Sequence, residues 1–343
     1  MGRKNVTISD IAVAAGVSKT TVSRYINGRF DLLSEPTRLR VEKAIQLAHY
    51  TPSAVARSLK TQRSYLVGVI VANITTPFAT SLLNGIGQGL REGGYIPIFA
   101  DAGDSPDDER RLVDSLVAHQ VDGLIVNTTT SKNPQLIDLA NSGMPVVLCD
   151  RYIDDYNFDI AVCPYREPTL ELMASMRGRG FDRAVLFTQD FTNNSPRAER
   201  LDAFLEGDRD VFGAADPDAD VYLCDPWDPD STREAVSAML ADSGDRTVGA
   251  YATNTVTLLA VYNALTELGV TVGENVGLCG PDDWGWAHRL GWNWTDTLGS
   301  GITTFETDPY AMGLEAARLM LERIADPAGK KQVRLVPTVM PRP

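Results

Sequence analysis

The chain has 343 residues, 43% of them hydrophobic, with 32 Lys and Arg against 45 Asp and Glu for a net charge of −13. That length excludes one small domain and leads to two or three with sizeable cores. The acidic total alone argues against a nucleic-acid partner, but residues 1–63 hold 11 basic and 4 acidic groups and the remainder 21 and 41, so a head of +7 precedes a body of −20.

In the head, Thr7 is a helix N-cap with Asp10 three residues on to close a capping box. Ile8, Ile11, Ala12 and Ala15 then share one helical face. Gly16 permits a sharp bend, Ser18 caps a second helix, and Val17, Val22 and Ile26 face back toward the first. The second helix carries Lys19, Thr20, Thr21, Ser23 and Arg24 at or near its N-terminal end, where side chains meet base edges and phosphates in a major groove. This is a helix-turn-helix; a three-helix bundle without a ligand is the bland alternative. A basic head also places phosphate attraction where the motif is. Ser34 is the expected cap of a third helix, with Pro36 in its first turn and Val41, Ala44, Ile45 and Ala48 as its apolar stripe. The run from His49 to Pro52 ends it. The segment from Ser53 to Lys60 is poor in apolar residues and too short to be a stable helix alone.

From Val6 to Lys60 these residues closely resemble the DNA-binding head and hinge of the LacI/GalR family of bacterial transcription regulators. The resemblance implies a DNA-binding domain over 1–51 and a hinge over 52–64. It assigns DNA contacts to Thr7, Lys19, Thr20, Thr21, Ser23, Arg24, Asn27, Ser53, Ala54, Ala56, Leu59 and Lys60. In the family the hinge folds as a helix when two subunits pair over DNA, and a leucine wedges into the minor groove. Leu59, flanked by Arg57 and Lys60, occupies that position. A linker residue packed on the body is the plainer reading of Leu59.

From Tyr65 the texture alternates between strands and helices. Strands are expected at 66–71, 96–100, 121–126 and 145–149, with helices at about 77–91, 107–119 and 134–141. The pattern restarts with helices at about 168–177, 196–205, 231–240 and 255–268 and strands at 184–188, 220–223, 248–252 and 276–279. The fold class is therefore α/β: a small all-α helix-turn-helix head and a body, 65–343, of two lobes with parallel sheets. As in the family, a helix over about 309–324 returns to the first lobe and the tail past Lys331 to the second. That gives lobe 1 as about 65–161 plus 302–326 and lobe 2 as about 164–290 plus 331–343.

Ligands in such folds lie at the carboxyl ends of parallel strands. The family's body resembles a periplasmic sugar-binding protein, with its effector between the lobes. On that resemblance Phe78, Asp150, Arg151, Arg197, Arg200, Trp227, Asn254 and Asp282 line the effector cleft. Each has an ordinary alternative: a cap for Asn254, a core edge for Phe78, a surface ion pair for Arg151. Three arginines facing one pocket suit a carboxylate or phosphate. The run from Ser195 to Arg200, and Ser34-Glu35-Pro36-Thr37, also resemble the family subgroup regulating ketodeoxygluconate and hexuronate catabolism. A sugar or sugar-acid effector is the expectation. The chain departs from the family where Cys163-Pro164-Tyr165 replaces a common Asp-Asn pair at the lobe crossover, and where Thr255 replaces an aspartate. The tryptophans at 284, 286, 292 and 294 have no assigned role.

The expected mechanism is linkage: a homodimer holds two heads on a pseudo-palindromic operator, and effector binding shifts the hinge's tendency to order. Sequence does not fix inducer or corepressor; sugar-responsive members favour induction. A solute-binding protein without a DNA role is the main rival. An α/β enzyme is the other, but no nucleophile elbow, phosphate-binding glycine loop or metal cluster is present, and the three histidines are far apart. No catalytic residues, metal or cofactor are expected. The four cysteines lack paired spacing and read as buried free thiols. The first residues lack a signal-peptide core and no run reaches the eighteen or so apolar residues of a membrane span, so a soluble, cytoplasmic protein is expected.

Overall fold

The computed structural model describes residues 6–50, 63–281, 298, 302–329 and 331–336. The chain divides into two compact units, Met1–Tyr65 and Leu66–Pro343.

The first unit contains α1 (Ile8–Ala15), α2 (Lys19–Ile26) and α3 (Glu35–Leu47). The expected capping box forms: the Thr7 amide donates to Asp10 Oδ2 at 2.8 Å and the Asp10 amide to Thr7 Oγ1 at 3.4 Å. Gly16 closes α1 at φ 63°, a left-handed conformation that costs glycine little. Ile11, Val22 and Val41, one from each helix, are fully buried and form the centre of this small core. Ser34 differs from expectation. Its hydroxyl bonds the Thr37 hydroxyl at 2.9 Å and makes no side-chain cap bond to a backbone amide of α3.

Among the described residues the second unit holds two wholly parallel sheets. The first comprises β1 (Leu66–Val71), β2 (Ile96–Asp101), β3 (Leu124–Val126), β4 (Val146–Cys149), β5 (Asp159–Val162) and β11 (Val333–Leu335), in the order β11-β5-β4-β3-β1-β2. The helices α4 (Pro77–Glu92), α5 (Pro106–Ala118) and α6 (Pro134–Asn141) connect its strands. The second comprises β6 (Arg183–Thr188), β7 (Val221–Leu223), β8 (Val248–Ala252), β9 (Val276–Gly280) and β10 (Ile302–Thr304), ordered β10-β9-β8-β6-β7. Its helices are α7 (Arg166–Gly178), α8 (Ser195–Gly207), α9 (Pro229–Ser243) and α10 (Thr255–Glu267). Strands β3, β4, β6, β8 and β9 are buried along their whole length, as continuous Val, Ile, Leu and Ala runs require in a sheet covered on both faces.

Two assignments are corrected. Ile302–Thr304 pairs with β9 and so extends the second sheet, although the expectation placed 302–326 wholly in lobe 1. The tail strand β11 pairs with β5 in the first sheet, although 331–343 was expected in lobe 2. Charge explains the tail. Asp159, 1% exposed, accepts from both Nε and Nη2 of Arg323 and from the Gln332 amide, and Lys331 Nζ lies 3.6 Å away. A buried carboxylate needs such partners, and meeting them pulls the tail against β5. The helix expected to return to lobe 1, α11 (Pro309–Ala325), does so, packing against α4. The two meet backbone to backbone: a Cβ on Gly85 would lie 2.1 Å from the Tyr310 carbonyl oxygen.

Candidate functional site

The head presents its candidate DNA-binding side chains unequally. Lys19, Thr20 and Arg24 are exposed on α2. Thr21 and Ser23 are half-buried and serve the helix as well. The Thr21 amide donates to Ser18 Oγ at 3.1 Å and its hydroxyl bonds the Ser18 hydroxyl at 2.9 Å. Asn27 Nδ2 donates to the Ser23 carbonyl at 2.7 Å, closing the C-terminal turn. Phe30 lies edge-on to Tyr25 with centroids 5.4 Å apart, and the Arg38 guanidinium lies over the Phe30 ring, 5.7 Å from the centroid. Ser53, Ala54, Ala56, Leu59 and Lys60 lie outside the described residues.

The cleft between the lobes is lined from both sheets, at the carboxyl ends of their strands. Phe78, Asp150, Arg151, Arg197, Arg200, Trp227 and Asn254 all line one pocket, the polar and apolar side chains together as small-molecule sites require. Asp282 and the tryptophans at 284–294 lie outside the described residues. The pocket also takes residues that sequence reasoning missed, among them Asn73, Asp104, Asn127, Gln189 and Asn194. Asn127 directly follows β3 and Gln189 directly follows β6, so the strand ends carried a usable signal.

The first lobe supplies a buried polar row. Asn127 Nδ2 donates to the Cys149 carbonyl at 3.1 Å and to Asp150 Oδ2 at 3.3 Å, and Asp150 Oδ1 accepts from the Tyr165 hydroxyl at 3.2 Å. Asp150 has φ 66°, a left-handed conformation at the end of β4 that non-glycine residues seldom adopt. Arg151 Nη1 donates to the Thr128 carbonyl at 2.9 Å, while its buried Nε has no hydrogen-bond partner among the described residues.

The second lobe supplies the guanidinium groups of α8. The N-cap Asn194 accepts from the Arg197 amide at 3.1 Å and starts the helix, which places Arg197 and Arg200 one turn apart. Arg197 donates to the Asp190 carbonyl at 2.8 Å and to Gln189 Oε1 at 2.9 Å. Gln189 Oε1 also accepts from Asn254 Nδ2 at 2.9 Å, so Asn254 both caps α10 and braces the pocket wall. Burial, then the charges of Arg151 and Arg200, pull the Arg197 guanidinium down to about 10. Three cations thus converge in a partly desolvated space, with Asp104 and Asp150 as the lining carboxylates. An anion with two or more acceptor oxygens is the group that this arrangement stabilises most.

A family model described as "Bacterial regulatory proteins, lacI family" matches residues 7–53, and one described as "Periplasmic binding proteins and sugar binding domain of LacI family" matches residues 64–284. The chain belongs to the LacI family. It is 32% identical to the HTH-type transcriptional regulator KdgR of Bacillus subtilis, over 96% of this chain and 94% of that one. It is 31% identical to the regulator PtxS of Pseudomonas aeruginosa, over 94% and 90%. The fold matches that of a Lac repressor dimer bound to operator, with a TM-score of 0.81 at 21% identity over 98% of this chain and 97% of that one. As a LacI-family member, this chain is a DNA-binding transcriptional regulator, and its relatives are regulators rather than enzymes. Among the described residues no helix is long and apolar enough to cross a membrane.

Proposed function

We propose that this LacI-family regulator is a cytoplasmic, homodimeric repressor whose effector is an anionic sugar, a sugar acid of the hexuronate or ketodeoxyaldonate class. The convergence of Arg151, Arg197 and Arg200 on one pocket carries this reading. The three guanidiniums face only two lining carboxylates, Asp104 and Asp150, and a carboxylate on the ligand supplies further acceptors for paired N–H bonds that a neutral sugar lacks. Trp227 and Phe78 offer apolar surface to the sugar's carbon face, and Asn254, Asn127 and Asp150 offer partners for hydroxyls. KdgR and PtxS are named only as HTH-type transcriptional regulators; the name of a third relative, a sucrose operon repressor from Klebsiella pneumoniae 34% identical over 60% of this chain, speaks for a neutral sugar. The arginines support the acid.

On the DNA side, Thr7, Lys19, Thr20, Thr21, Ser23, Arg24 and Asn27 meet the major groove. Residues 52–64 act as the hinge, with Ser53, Ala54, Ala56 and Lys60 along the backbone and Leu59 in the minor groove. Two heads on a pseudo-palindromic operator require the dimer. Effector binding favours the lobe arrangement that disfavours hinge ordering, so it releases DNA.

The test is a calorimetric screen of the full chain against hexuronates, aldonates, ketodeoxyaldonates and their neutral parent sugars. Binding confined to acids, and lost in Arg200→Ala, is the expected result. Binding confined to neutral sugars and indifferent to Arg200→Ala overturns it.

A further inference from the structure

The helix α8 that carries the pocket arginines is also tied to the segment that joins the lobes. Tyr165 stands on that segment, three residues past β5 and immediately before α7. It is 1% exposed and does not line the pocket. Its ring lies under the Arg200 guanidinium at 3.8 Å from the centroid, its hydroxyl donates to Asp150 Oδ1 at 3.2 Å, and its amide donates to Glu199 Oε1 at 3.1 Å. One buried side chain therefore touches a pocket residue on each lobe: Arg200 on α8 of the second and Asp150 at the end of β4 in the first. A further bond crosses in the opposite sense, from the Tyr152 amide of the first lobe to Ser195 Oγ on α8 at 2.9 Å. Ser195, Glu199 and Arg200 hold the crossover, while Arg197 and Arg200 line the pocket, all within the first two turns of one helix.

We propose that Tyr165 is a positioning residue that couples ligand occupancy to lobe closure, by holding the Arg200 guanidinium flat against its ring and Asp150 at the end of its hydroxyl. The ring face attracts the cation and fixes the plane of its N–H fork. Ring and hydroxyl together span the two lobes, the ring against Arg200 of the second and the hydroxyl on Asp150 of the first. A ligand that bonds both Arg200 and Asp150 stabilises the same arrangement that satisfies Tyr165, so the two events favour each other. This rests on the reading of the pocket as an anion site.

The experiment uses the full chain with D-glucuronate and 2-keto-3-deoxy-D-gluconate as probes, titrated calorimetrically, and hydrogen exchange at the Tyr152 and Tyr165 amides, both of which donate across to α8. In the wild type, saturating probe slows exchange at both amides. Tyr165→Phe keeps the stack and loses the bond to Asp150. Its probe affinity falls about 10-fold and the probe-induced slowing is largely lost. Tyr165→Leu loses both contacts, and its affinity falls about 100-fold. Combined with Asp150→Gly, which removes the acceptor and suits the left-handed backbone there, Tyr165→Phe costs nothing further, because the bond is already gone. A purely structural tyrosine gives a different pattern: lower thermal stability, and exchange raised equally with and without probe. Wild-type affinity in Tyr165→Phe, with intact probe-induced slowing, overturns the proposal alone. A wild type that binds neither probe overturns it together with the anion reading. Should Tyr165→Leu not fold, Tyr165→Phe and the cycle with Asp150→Gly still decide.

Discussion

The head and the cleft do their work by opposite means. In the head the side-chain contacts that position the motif join residues only three or four apart: Thr7 with Asp10, Ser18 with Thr21, Ser23 with Asn27. In the cleft the partners are far apart in sequence, as with Asn127 and Asp150, Asn254 and Gln189, or Arg200 and Tyr165. The charges are also opposed. The basic head attracts a polyanion over its exposed surface, while the acidic body concentrates three arginines in one partly buried place. The contrast teaches that long-range attraction needs only net charge, whereas selecting a small anion needs desolvated, braced donors.

Arg200→Ala cuts deepest into that contrast. Removing a buried guanidinium that meets an anion costs about 2–5 kcal/mol of binding, hence about 30-fold or more in affinity for sugar acids, read by calorimetry. Duplex affinity without ligand stays within about twofold, because the head is untouched. Ile11→Ala reverses the pattern. Ile11 is fully buried in the head's small core, and truncation there costs about 2–5 kcal/mol. The head should melt ahead of the body in calorimetric scans and lose DNA binding, with sugar-acid affinity intact. A single shared transition would show that the two units are not energetically separable.

A third prediction concerns the body alone. Asp208 is 1% exposed, and desolvation together with Asp220 pushes its carboxyl up to about 7. The unfolded group titrates near ~3.9. Between these values the folded chain keeps a proton that the unfolded chain has released, so stability falls as pH rises from about 4 to about 7 and is level above. Asp208→Asn removes that fall and stabilises the body by about 1–3 kcal/mol above about pH 7, with no change in the head's transition. The smallest effect is Thr7→Ala. Loss of the capping box costs about 1 kcal/mol and lowers the head's melting temperature while leaving the body's transition in place.

The same contrast governs how much could be read without coordinates. Helix limits in both units were legible because caps and apolar periods are local; α4 and α10, for instance, start at Pro77 and Thr255 as expected. The short strands β5, β10 and β11 were not. Three or four residues carry no measurable alternation, and β11 is placed by the buried charge of Asp159 rather than by its own pattern. In the cleft, the arginines were legible through resemblance to the family. Asn127 and Gln189 were not, because an amide after a strand has no signature until the sheet order brings it to the cleft. Tyr165 was noted as a departure from the family, but its role needs the 3.8 Å approach of Arg200, which no spacing encodes.

The most direct measurement of the central claim is a fluorescence-anisotropy titration of the full chain with a duplex selected from a random library, over a range of salt, with and without the sugar acid that the calorimetric screen identifies. The account predicts affinity that falls steeply with salt and falls again when the acid is added, the second effect vanishing in Arg200→Ala. Salt-insensitive affinity, or tighter duplex binding with the acid present, would contradict it.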